Sequence, residues 1–465
     1  MSSIAPEIFK AYDIRGIVDR TLTESAAEAI GRGLGTLAQR KGVSKFVVGR
    51  DGRLSGQRLS RALTRGLNAA GIDVIDIGVV ATPMVYFATH QLATGSGVMV
   101  TGSHNPPEYN GLKMMVAGET LAAEAIQDLR RLVEQSVTPV KAGAQPKAGT
   151  HSSADIAEAY LSRITSDVKL ARPMTIAIDC GNGSPGAIAP ELFRRLGCKV
   201  IELFCEIDGN FPNHHPDPSK PENLEDLIEK LKTSDAELGL AFDGDGDRLG
   251  VVTKSGKIIF PDRQLMLFAA EVLGRNPGAE VIFDVKCTRN LFPWIREHGG
   301  RPLLWKTGHS LIKSKLKETG APLAGEMSGH LFFKDRWYGF DDGMYAGARL
   351  LEIVSRERDA SRVLEELPDS ISTPELNIEL EREGENHALI AELQKGARFE
   401  GATDVNTLDG LRVEYSDGFG LMRASNTTPV VVLRFEADSH EALERIREDF
   451  RRVLERARPG LVIPA

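Results

Sequence analysis

Three aspartates near the middle of the chain stand close enough together to bind a metal ion. Asp243, Asp245 and Asp247 alternate with Gly244 and Gly246, directly after the apolar segment ELGLAF. Like charges at this spacing repel one another unless a cation lies between them, and glycine lets the backbone curl so that all three carboxylates point inward. Oxygen ligands of this kind suit hard divalent cations such as Mg²⁺. The spacing therefore predicts a metal-binding loop after a strand.

A calcium-binding hand has the same aspartate spacing but is excluded. That motif requires Gly at its sixth position and Glu at its twelfth, where this chain has Arg248 and Lys254. A solvated acidic turn remains the simpler alternative, because turns favour Asp and Gly.

A second loop carries a candidate nucleophile. Ser103 lies in the segment TGSHNP, just after the apolar run GVMV. A turn there can expose the hydroxyl at a sheet edge, although a loop serine is often only a turn former or a helix cap. The hydrolase elbow G-x-S-x-G is absent, because Asn105 stands where that motif requires Gly. Lys113, ten residues after Ser103, can bring a cation back to the same place.

A glycine-rich turn offers a competing function. Gly181, Gly183 and Gly186 spell G-x-G-x-x-G, and Glu202 follows about twenty residues on, as in dinucleotide-binding folds. The corresponding turns elsewhere in the chain, GRDGRLSG and KCTRN, lack this fingerprint. We therefore interpret the glycines as a tight strand-to-helix turn, with a nicotinamide or flavin enzyme as the alternative.

Two further loops combine groups that suit a phosphorylated sugar. The segment GEMSGH brings Glu326, Ser328 and His330 onto one turn, and a carboxylate with a hydroxyl can accept from and donate to vicinal sugar hydroxyls. A second histidine, His309, ends the segment KTGH. Each histidine taken alone is more simply a surface residue or a residue whose hydrogen bonds are satisfied within the fold, although two of them at the strand ends of one domain weaken that alternative. The segment RASNTT begins with Arg423, whose guanidinium suits phosphate oxygens, although the segment can also be a polar turn between strands.

A threefold repeat positions these loops. Residues 45–80, 174–204 and 279–308 each contain an apolar strand, a turn, a helical stretch of about three turns and a second apolar strand. Each unit is followed at a distance by another strand, which enters the serine loop, the aspartate loop or the GEMSGH loop. Continuous apolar strands that alternate with helices predict parallel sheets covered by helices. Since ligands bind beyond the carboxyl ends of such strands, the three loops can meet in one cleft.

The last hundred residues break this pattern and predict a smaller α+β domain. Strand-like LRVEYSD and PVVVLRFEAD flank GFGLMRASNTT, and an amphipathic helix closes the chain. Linkers are plausible near residues 141–155, 254–257 and 368–373. We expect domains at residues 1–153, 154–256, 257–369 and 370–465, carrying in turn the serine, metal, sugar and phosphate loops.

Composition excludes several classes of function. The 465 residues carry 57 Lys and Arg against 65 Asp and Glu, a net charge of −8, and no basic run that would bind a nucleic acid. No apolar run approaches the ~18 residues of a membrane span. The four cysteines form no C-x-x-C pair. We expect a cytoplasmic protein with neither a nucleic-acid nor a membrane partner.

At these residues the chain resembles the α-D-phosphohexomutase family, and within it the bifunctional phosphomannomutase/phosphoglucomutase branch. The resemblance rests on FKAYDIRG, TGSHNP, DGDGDR, GEMSGH and RASNTTP, which occur in this order over nearly the full length. It implies an α/β fold of three repeated mixed-sheet α/β/α domains plus a smaller α+β C-terminal domain around a central cleft. It also implies a monomer that interconverts glucose and mannose 1- and 6-phosphates through a hexose 1,6-bisphosphate.

The resemblance further implies a role for each candidate residue. Mg²⁺ would be held by Asp243, Asp245, Asp247 and an oxygen of phosphorylated Ser103. The implied catalytic residues are Ser103, Lys113, Arg15, His309 and Arg248, of which His309 and Lys113 are candidates for proton transfer. The implied substrate-binding residues are Tyr12, Lys286, His309, Glu326, Ser328, His330, Arg423, Ser425, Asn426 and Thr427.

Two alternatives stay open within this chemistry. A phosphoglucosamine mutase has a similar sugar loop but typically has Gln where this chain has Met327. A metal-dependent sugar phosphatase would use Ser103 and lose the phosphoryl group to water.

Overall fold

The computed structural model describes residues 4–136, 147–382, 384–426 and 428–464 of the chain. These residues form four sheets, each with its own helices. Residues 137–146, which include part of the linker expected at 141–155, lie outside the described ranges.

The first sheet has seven strands. Its elements are β1 (Ile14–Ile17), α1 (Glu24–Arg40), β2 (Lys45–Arg50), α2 (Gly56–Ala69), β3 (Asp73–Val79), α3 (Thr82–Gln91), β4 (Gly97–Val100), β5 (Tyr109–Val116), β6 (Glu119–Thr120), α4 (Glu124–Ser136) and β7 (His151–Ser153). The strand order is β1-β5-β4-β2-β3-β7, with β6 paired to β5.

The second sheet has the order β12-β11-β10-β8-β9. Its elements are α5 (Ala157–Asp167), β8 (Met174–Asp179), α6 (Ala189–Arg195), β9 (Cys198–Leu203), α7 (Glu225–Thr233), β10 (Leu238–Phe242), β11 (Leu249–Thr253) and β12 (Ile258–Ile259). Residues 254–257, expected as a linker, form the turn that joins β11 to β12 of the same sheet.

The third sheet has the order β14-β13-β15-β16. Its elements are α8 (Pro261–Arg275), β13 (Glu280–Asp284), α9 (Leu291–Glu297), β14 (Arg301–Trp305), α10 (His309–Thr319), β15 (Leu323–Gly325), β16 (Leu331–Phe333), α11 (Gly343–Val354) and α12 (Ala360–Glu365).

The predicted repeat is confirmed by strand pairing. The pairs β2/β3, β8/β9 and β13/β14 are parallel, and β4, β10 and β15 pair in parallel with β2, β8 and β13. In each sheet the next strand, β5, β11 or β16, then returns antiparallel. The sheets are therefore mixed, and the loops after β4, β10 and β15 occupy equivalent positions. Helices α6 and α9 have seven residues each, which is shorter than the three turns expected.

The fourth sheet is antiparallel, with order β17-β22-β21-β20-β19 and β18 paired to β22. Its elements are β17 (Ile371–Ser372), β18 (Leu376–Glu379), α13 (Glu385–Gly396), β19 (Asp404–Asn406), β20 (Leu411–Tyr415), β21 (Gly418–Ala424), β22 (Val430–Ala437) and α14 (His440–Ala457). The segment GFGLMRA, which the sequence left between two strands, is itself β21.

The large apolar clusters divide between the first three units and the last, and a small cluster of Val285, Phe419 and Leu421 joins the third unit to the fourth. One cluster of buried side chains runs through the first three sheets and includes Phe87, Tyr160, Trp337 and Tyr345. The fourth unit has a cluster of its own, centred on residues such as Phe450 of α14. Burial of apolar area is the main stabilising contribution in both. Among the described helices, none is long and apolar enough to cross a bilayer.

Candidate active site

The serine and aspartate loops lie against each other. Ser103 Oγ is 3.1 Å from Asp243 Oδ2, and both side chains are buried. The backbones are as close, since a Cβ on Gly244 would lie 2.5 Å from the carbonyl oxygen of Ser103. The loops after β4 and β10 therefore meet, as the repeat predicts, and place a hydroxyl beside the carboxylates.

The three aspartates form one buried cluster. Carboxylate oxygens of Asp243, Asp245 and Asp247 lie within 4.8 Å of one another, and each residue is 0% exposed. The backbone N–H groups of Gly246 and Arg248 donate to Asp243 Oδ1, and Gly246 adopts a φ of +77° that favours glycine. Burial and the neighbouring aspartates raise the pKa of Asp243 well above its usual range.

Lys113 compensates part of this negative charge. Its ammonium donates to Asp245 Oδ2 at 2.7 Å and to Asp247 Oδ2 at 2.5 Å. Burial would lower the pKa of Lys113, but the three carboxylates outweigh burial and raise it well above its usual range. Lys113 is therefore a cation in this arrangement, and its ammonium donates hydrogen bonds and does not accept a proton.

The cluster suits a hard cation. The Oδ1 atoms of Asp245 and Asp247 are buried and have no hydrogen-bond partner within the described ranges. A buried, unpaired carboxylate oxygen is costly, and coordination of a divalent cation would satisfy both atoms. The residues present therefore fit the predicted metal.

The serine loop is held in a strained shape by two residues that the sequence analysis missed. Ser103 has a φ of +50°, which a non-glycine residue adopts only when its surroundings impose it. Arg53 donates to the carbonyl oxygens of Ser103 (2.8 Å), Pro106 (2.6 Å) and Tyr109 (3.0 Å). Asp51 accepts from Thr101 Oγ1 at 2.7 Å. The opposite charges of Asp51 and Arg53 in the turn GRDGR were the feature of the sequence that could have identified them.

Arg15 reaches the same loop from β1. Its guanidinium donates to Asn105 Oδ1 at 2.9 Å and to Asp13 Oδ2 at 2.7 Å. Arg15 is thus a second cation beside Ser103. Tyr12, three residues earlier, lies against a different loop, with its ring edge-on to His309 at 5.0 Å.

The two predicted histidines are neighbours, with ring centroids 5.4 Å apart. His330 Nε2 accepts from Arg248 Nε at 3.1 Å, and His330 Nδ1 is 3.0 Å from Asp341 Oδ2. Arg248 Nε also lies 3.9 Å from Asp243 Oδ2. These contacts connect the GEMSGH loop to the aspartate loop. Asp341 was not predicted, and the double aspartate in FDDG was its only signal.

Glu326 and Ser328 lie on that same loop. Glu326 is buried and accepts from the backbone N–H of Gly308 at 2.5 Å, and burial raises its pKa to about 7. Ser328 is half-buried. Gly329, with φ +104°, turns the chain back toward His330. The loop after β15 thus holds a carboxyl and a hydroxyl beside the segment that begins α10.

The fourth unit brings its loop to that segment. Arg423 Nε donates to Asp409 Oδ2 at 3.1 Å, and the same oxygen accepts from the backbone N–H of Thr307 at 2.9 Å. Asn426 Nδ2 donates to the carbonyl of Thr307 at 3.4 Å, and Arg423 Nη2 is buried with no hydrogen-bond partner among the described residues. Asn386 Nδ2 donates to the carbonyl of Ser425 at 3.0 Å. Thr427 lies outside the described residues.

Lys286 is the predicted residue that makes a different contact. It follows β13, is 7% exposed, and pairs with Glu375 at 2.9 Å. This ion pair joins the third unit to the start of the fourth.

The glycine-rich turn packs against the aspartate loop. A Cβ on Gly183 would lie 2.7 Å from the carbonyl oxygen of Gly244, which accepts from the backbone N–H of Ser184 at 2.9 Å. The contacts support the interpretation as a tight turn.

Sequence comparison agrees with this architecture. Four family models match in order: phosphoglucomutase/phosphomannomutase alpha/beta/alpha domain I at residues 6–138, domain II at 158–256, domain III at 260–371, and the C-terminal domain at 375–453. A phosphoglucomutase of Neisseria gonorrhoeae is 61% identical, with 100% of each chain covered. A phosphomannomutase/phosphoglucomutase of Pseudomonas aeruginosa is 56% identical over 99% of this chain and 98% of the relative.

A solved structure agrees as well. A phosphoglucomutase/phosphomannomutase family protein from Burkholderia thailandensis superposes with a TM-score of 0.93 and 57% identity, covering 100% of each chain. The chain belongs to the phosphoglucomutase/phosphomannomutase family, as its motifs indicate, and is a hexose phosphate mutase.

Proposed function

We propose that this mutase interconverts the 1- and 6-phosphates of glucose and mannose through phosphorylated Ser103 and a hexose 1,6-bisphosphate. The proposal rests on one observation above the others: Ser103 Oγ lies 3.1 Å from a carboxylate of the buried aspartate cluster. The 61% identical relative is named phosphoglucomutase and the 56% identical relative phosphomannomutase/phosphoglucomutase, which supports glucose and mannose phosphates as the substrates.

Mg²⁺ would be held by Asp243, Asp245, Asp247 and an oxygen of the phosphorylated serine. When bound, it would offset the negative charge of the transferring phosphoryl group. Asp245→Asn removes a charge from this set, and we expect a higher Mg²⁺ concentration for half-maximal activity. An unchanged Mg²⁺ requirement would count against the assignment.

Cationic side chains of the protein would offset the rest of the negative charge on phosphorylated Ser103. A phosphoserine carries nearly two negative charges, and three cations contact the two loops that meet there: Arg15 binds Asn105, Lys113 binds Asp245 and Asp247, and Arg248 lies 3.9 Å from Asp243. Phosphoryl transfer depends mainly on positioning and on charge stabilisation of this kind. The bond between Ser103 Oγ and phosphorus breaks as a sugar hydroxyl bonds to that phosphorus, and the proton that the hydroxyl loses is balanced by one that Ser103 Oγ gains as it becomes a hydroxyl again.

The other loops would hold the sugar. Glu326 and Ser328 suit vicinal hydroxyls, and the fourth unit's loop, with Arg423, Ser425, Asn426 and Thr427, suits the phosphate that does not react. Tyr12, Lys286, His309 and His330 would complete the cleft. The 1,6-bisphosphate then turns around and returns its other phosphate to Ser103.

We also propose the domain limits 1–153, 154–256, 257–369 and 370–465, and a cytoplasmic monomer; the second limit falls just before β12 (Ile258–Ile259), which still pairs with β11 of the second sheet. All four cysteines are free thiols, which supports a reducing compartment.

Intact mass tests the phosphoserine. We expect one added phosphate on the wild-type protein and on the control Ser153→Ala, an exposed residue of β7. In Ser103→Ala the added mass and the turnover of glucose 1-phosphate should both disappear. A fully active Ser103→Ala would end the proposal.

Product analysis separates the alternatives. Rates on glucose, mannose and glucosamine 1-phosphates, measured side by side, distinguish the proposed enzyme from a phosphoglucosamine mutase. Release of free phosphate without a 6-phosphate product would indicate a phosphatase instead.

A further inference from the structure

Lys313 is a buried lysine that lies outside every predicted site set and contacts His309. The two residues are four positions apart on α10, so their side chains share one face of the helix. The ammonium of Lys313 donates to Asp341 Oδ1 at 2.8 Å, and it lies 3.2 Å from both His309 Nδ1 and the hydroxyl of Tyr86. Three partners therefore match its three N–H bonds.

Lys313 is held in its charged form. Burial lowers the pKa of a lysine, but Asp341 and Tyr86 outweigh burial here and raise the pKa of Lys313 above its ordinary value. An ammonium has three donors and no acceptor. The nitrogen of His309 that faces it must therefore accept a hydrogen bond.

The same surroundings keep His309 neutral. Burial and then the charge of Lys313 hold the pKa of His309 well below its usual range, although Asp341 opposes them. The other groups that face the ring are His330, Lys113 and Tyr12, and Nδ1 also lies 3.4 Å from the hydroxyl of Ser310 and 3.8 Å from Asp341 Oδ2, both farther away than the ammonium of Lys313. A neutral imidazole has one donor nitrogen and one acceptor nitrogen. Because Nδ1 accepts, the proton belongs to Nε2.

We infer that Lys313 is a positioning residue that fixes His309 as the Nε2–H tautomer, so that His309 donates a hydrogen bond to a ligand oxygen and does not act as a base. His309 Nε2 is buried and has no hydrogen-bond partner among the described residues. A buried donor without a partner is costly, and an oxygen of the phosphosugar would satisfy it. This last step rests on the proposed function, whereas the tautomer does not.

The neighbouring histidine, His330, carries its proton on the other ring nitrogen. There the donor-only side chain, Arg248, faces Nε2, and the carboxylate of Asp341 faces Nδ1. His330 is therefore protonated at Nδ1 when neutral. The two neighbouring histidines hold opposite tautomers because cations approach them from opposite sides of the ring.

The inference changes the role expected of His309. The sequence placed it among the candidates for proton transfer. With Lys313 on Nδ1, the free nitrogen carries a proton, so it can hold an anionic oxygen but cannot take a proton from a sugar hydroxyl. If His309 carried its proton on Nδ1 instead, that N–H would face the ammonium of Lys313. The lone pair of Nε2 would then face the anionic oxygen of the ligand, and both contacts would be repulsive.

Nitrogen NMR of the wild-type enzyme tests the tautomer directly. Protein labelled with ¹⁵N only in histidine is measured at neutral pH, and the His309 signals are assigned as those lost in His309→Gln. We expect Nδ1 to resonate as an unprotonated and Nε2 as a protonated ring nitrogen. Protonation at Nδ1, or at both nitrogens, would overturn the inference. The result does not depend on which sugar phosphate the enzyme uses.

Three variants test the consequence for catalysis. Lys313→Met removes the donor, and we expect kcat/KM to fall about 10- to 100-fold, the same size of effect as the loss of a residue that orients a metal-binding histidine. Lys313→Arg keeps a donor-only group and should retain the Nε2–H signals and more of the activity than Lys313→Met. Lys317→Met, an exposed residue of the same helix, is the control and should match the wild type.

Spectra and rates together separate a positioning role from a structural one. A folded Lys313→Met that keeps both the wild-type rate and the Nε2–H signals would overturn the role of Lys313. If that variant fails to fold, the wild-type spectrum still decides the tautomer. If Ser103→Ala is active while His309 is protonated at Nε2, the proposed function fails and the tautomer stands.

Discussion

Substitution of Gly244 by alanine tests whether the close approach of two loops sets the rate. The added Cβ would lie 2.5 Å from the carbonyl oxygen of Ser103, whereas ordinary contacts begin at 3.4 Å. That carbonyl cannot simply retreat, because Arg53 Nη2 donates to it at 2.8 Å. Gly244 is held in turn by the N–H of Ser184, which donates to its carbonyl at 2.9 Å. A hydrogen bond on the far side of each loop therefore holds the serine loop and the aspartate loop in place.

The geometry gives the size of the effect. The difference between 3.4 and 2.5 Å requires the serine and aspartate loops to part by about 0.9 Å. A misplacement of about 1 Å in a reacting pair costs about 100-fold in rate. That factor corresponds to about 2.7 kcal/mol in the activation barrier. We therefore expect kcat of Gly244→Ala to fall by about two orders of magnitude.

Steady-state conversion of glucose 1-phosphate at saturating Mg²⁺ measures this effect. Gly274→Ala is the matched control, because it adds the same methyl group to an exposed position of α8 with no atom within 4 Å. The control should keep the wild-type kcat. Melting curves should show both variants folded. A folded Gly244→Ala with wild-type kcat would refute the argument that this contact positions Ser103.

Three other substitutions test separate contacts. Arg53→Lys leaves buried carbonyls of the serine loop without donors, so we expect a lower melting temperature, lower activity and a cost of about 1–3 kcal/mol per unsatisfied group; unchanged melting would contradict this. Burial raises the pKa of Asp342 to about 7 from 3.8, so the stability that it contributes is full below pH 3.8 and is lost as pH rises through about 7. Asp342→Asn should gain melting temperature over the wild type across that window and then level off; a constant difference would count against burial as the cause. Arg412, which is 0% exposed, donates to the carbonyls of Val285 and Cys287 in the loop after β13, at 2.7 and 2.6 Å. Arg412→Met should therefore speed amide hydrogen exchange in the loop after β13. Unchanged exchange would mean that this contact between the fourth and third units is not needed to hold the loop.

The sequence predicted the repeated fold because its signals are local. An apolar strand, a turn and a helix that ends at glycine recur three times, and each unit became a parallel strand pair of the expected kind. The aspartate loop was likewise readable, because three carboxylates within five residues must resolve their repulsion wherever they are. The expected helix length was wrong at α6 and α9, since a stretch of seven residues gives a weak periodic signal.

The tertiary structure decided which residues the loops meet. Lys113 pairs with carboxylates 132 and 134 positions away, and Arg53 holds a loop more than fifty positions away. The spacing of these residues does not mark the partners, because the Lys113 contacts depend on how the first and second sheets pack, and the Arg53 contacts depend on the pairing of β2 with β4.

The same division holds at the histidines. The sequence by itself determined that His309 and His330 follow strands of the third repeat, because the order of strands, turns and helices is a local property of the chain. Only the packed structure put Lys313 on one ring and Arg248 on the other. Which nitrogen carries the proton, and so what each histidine can do, follows from one contact within α10 and one contact between the second and third units.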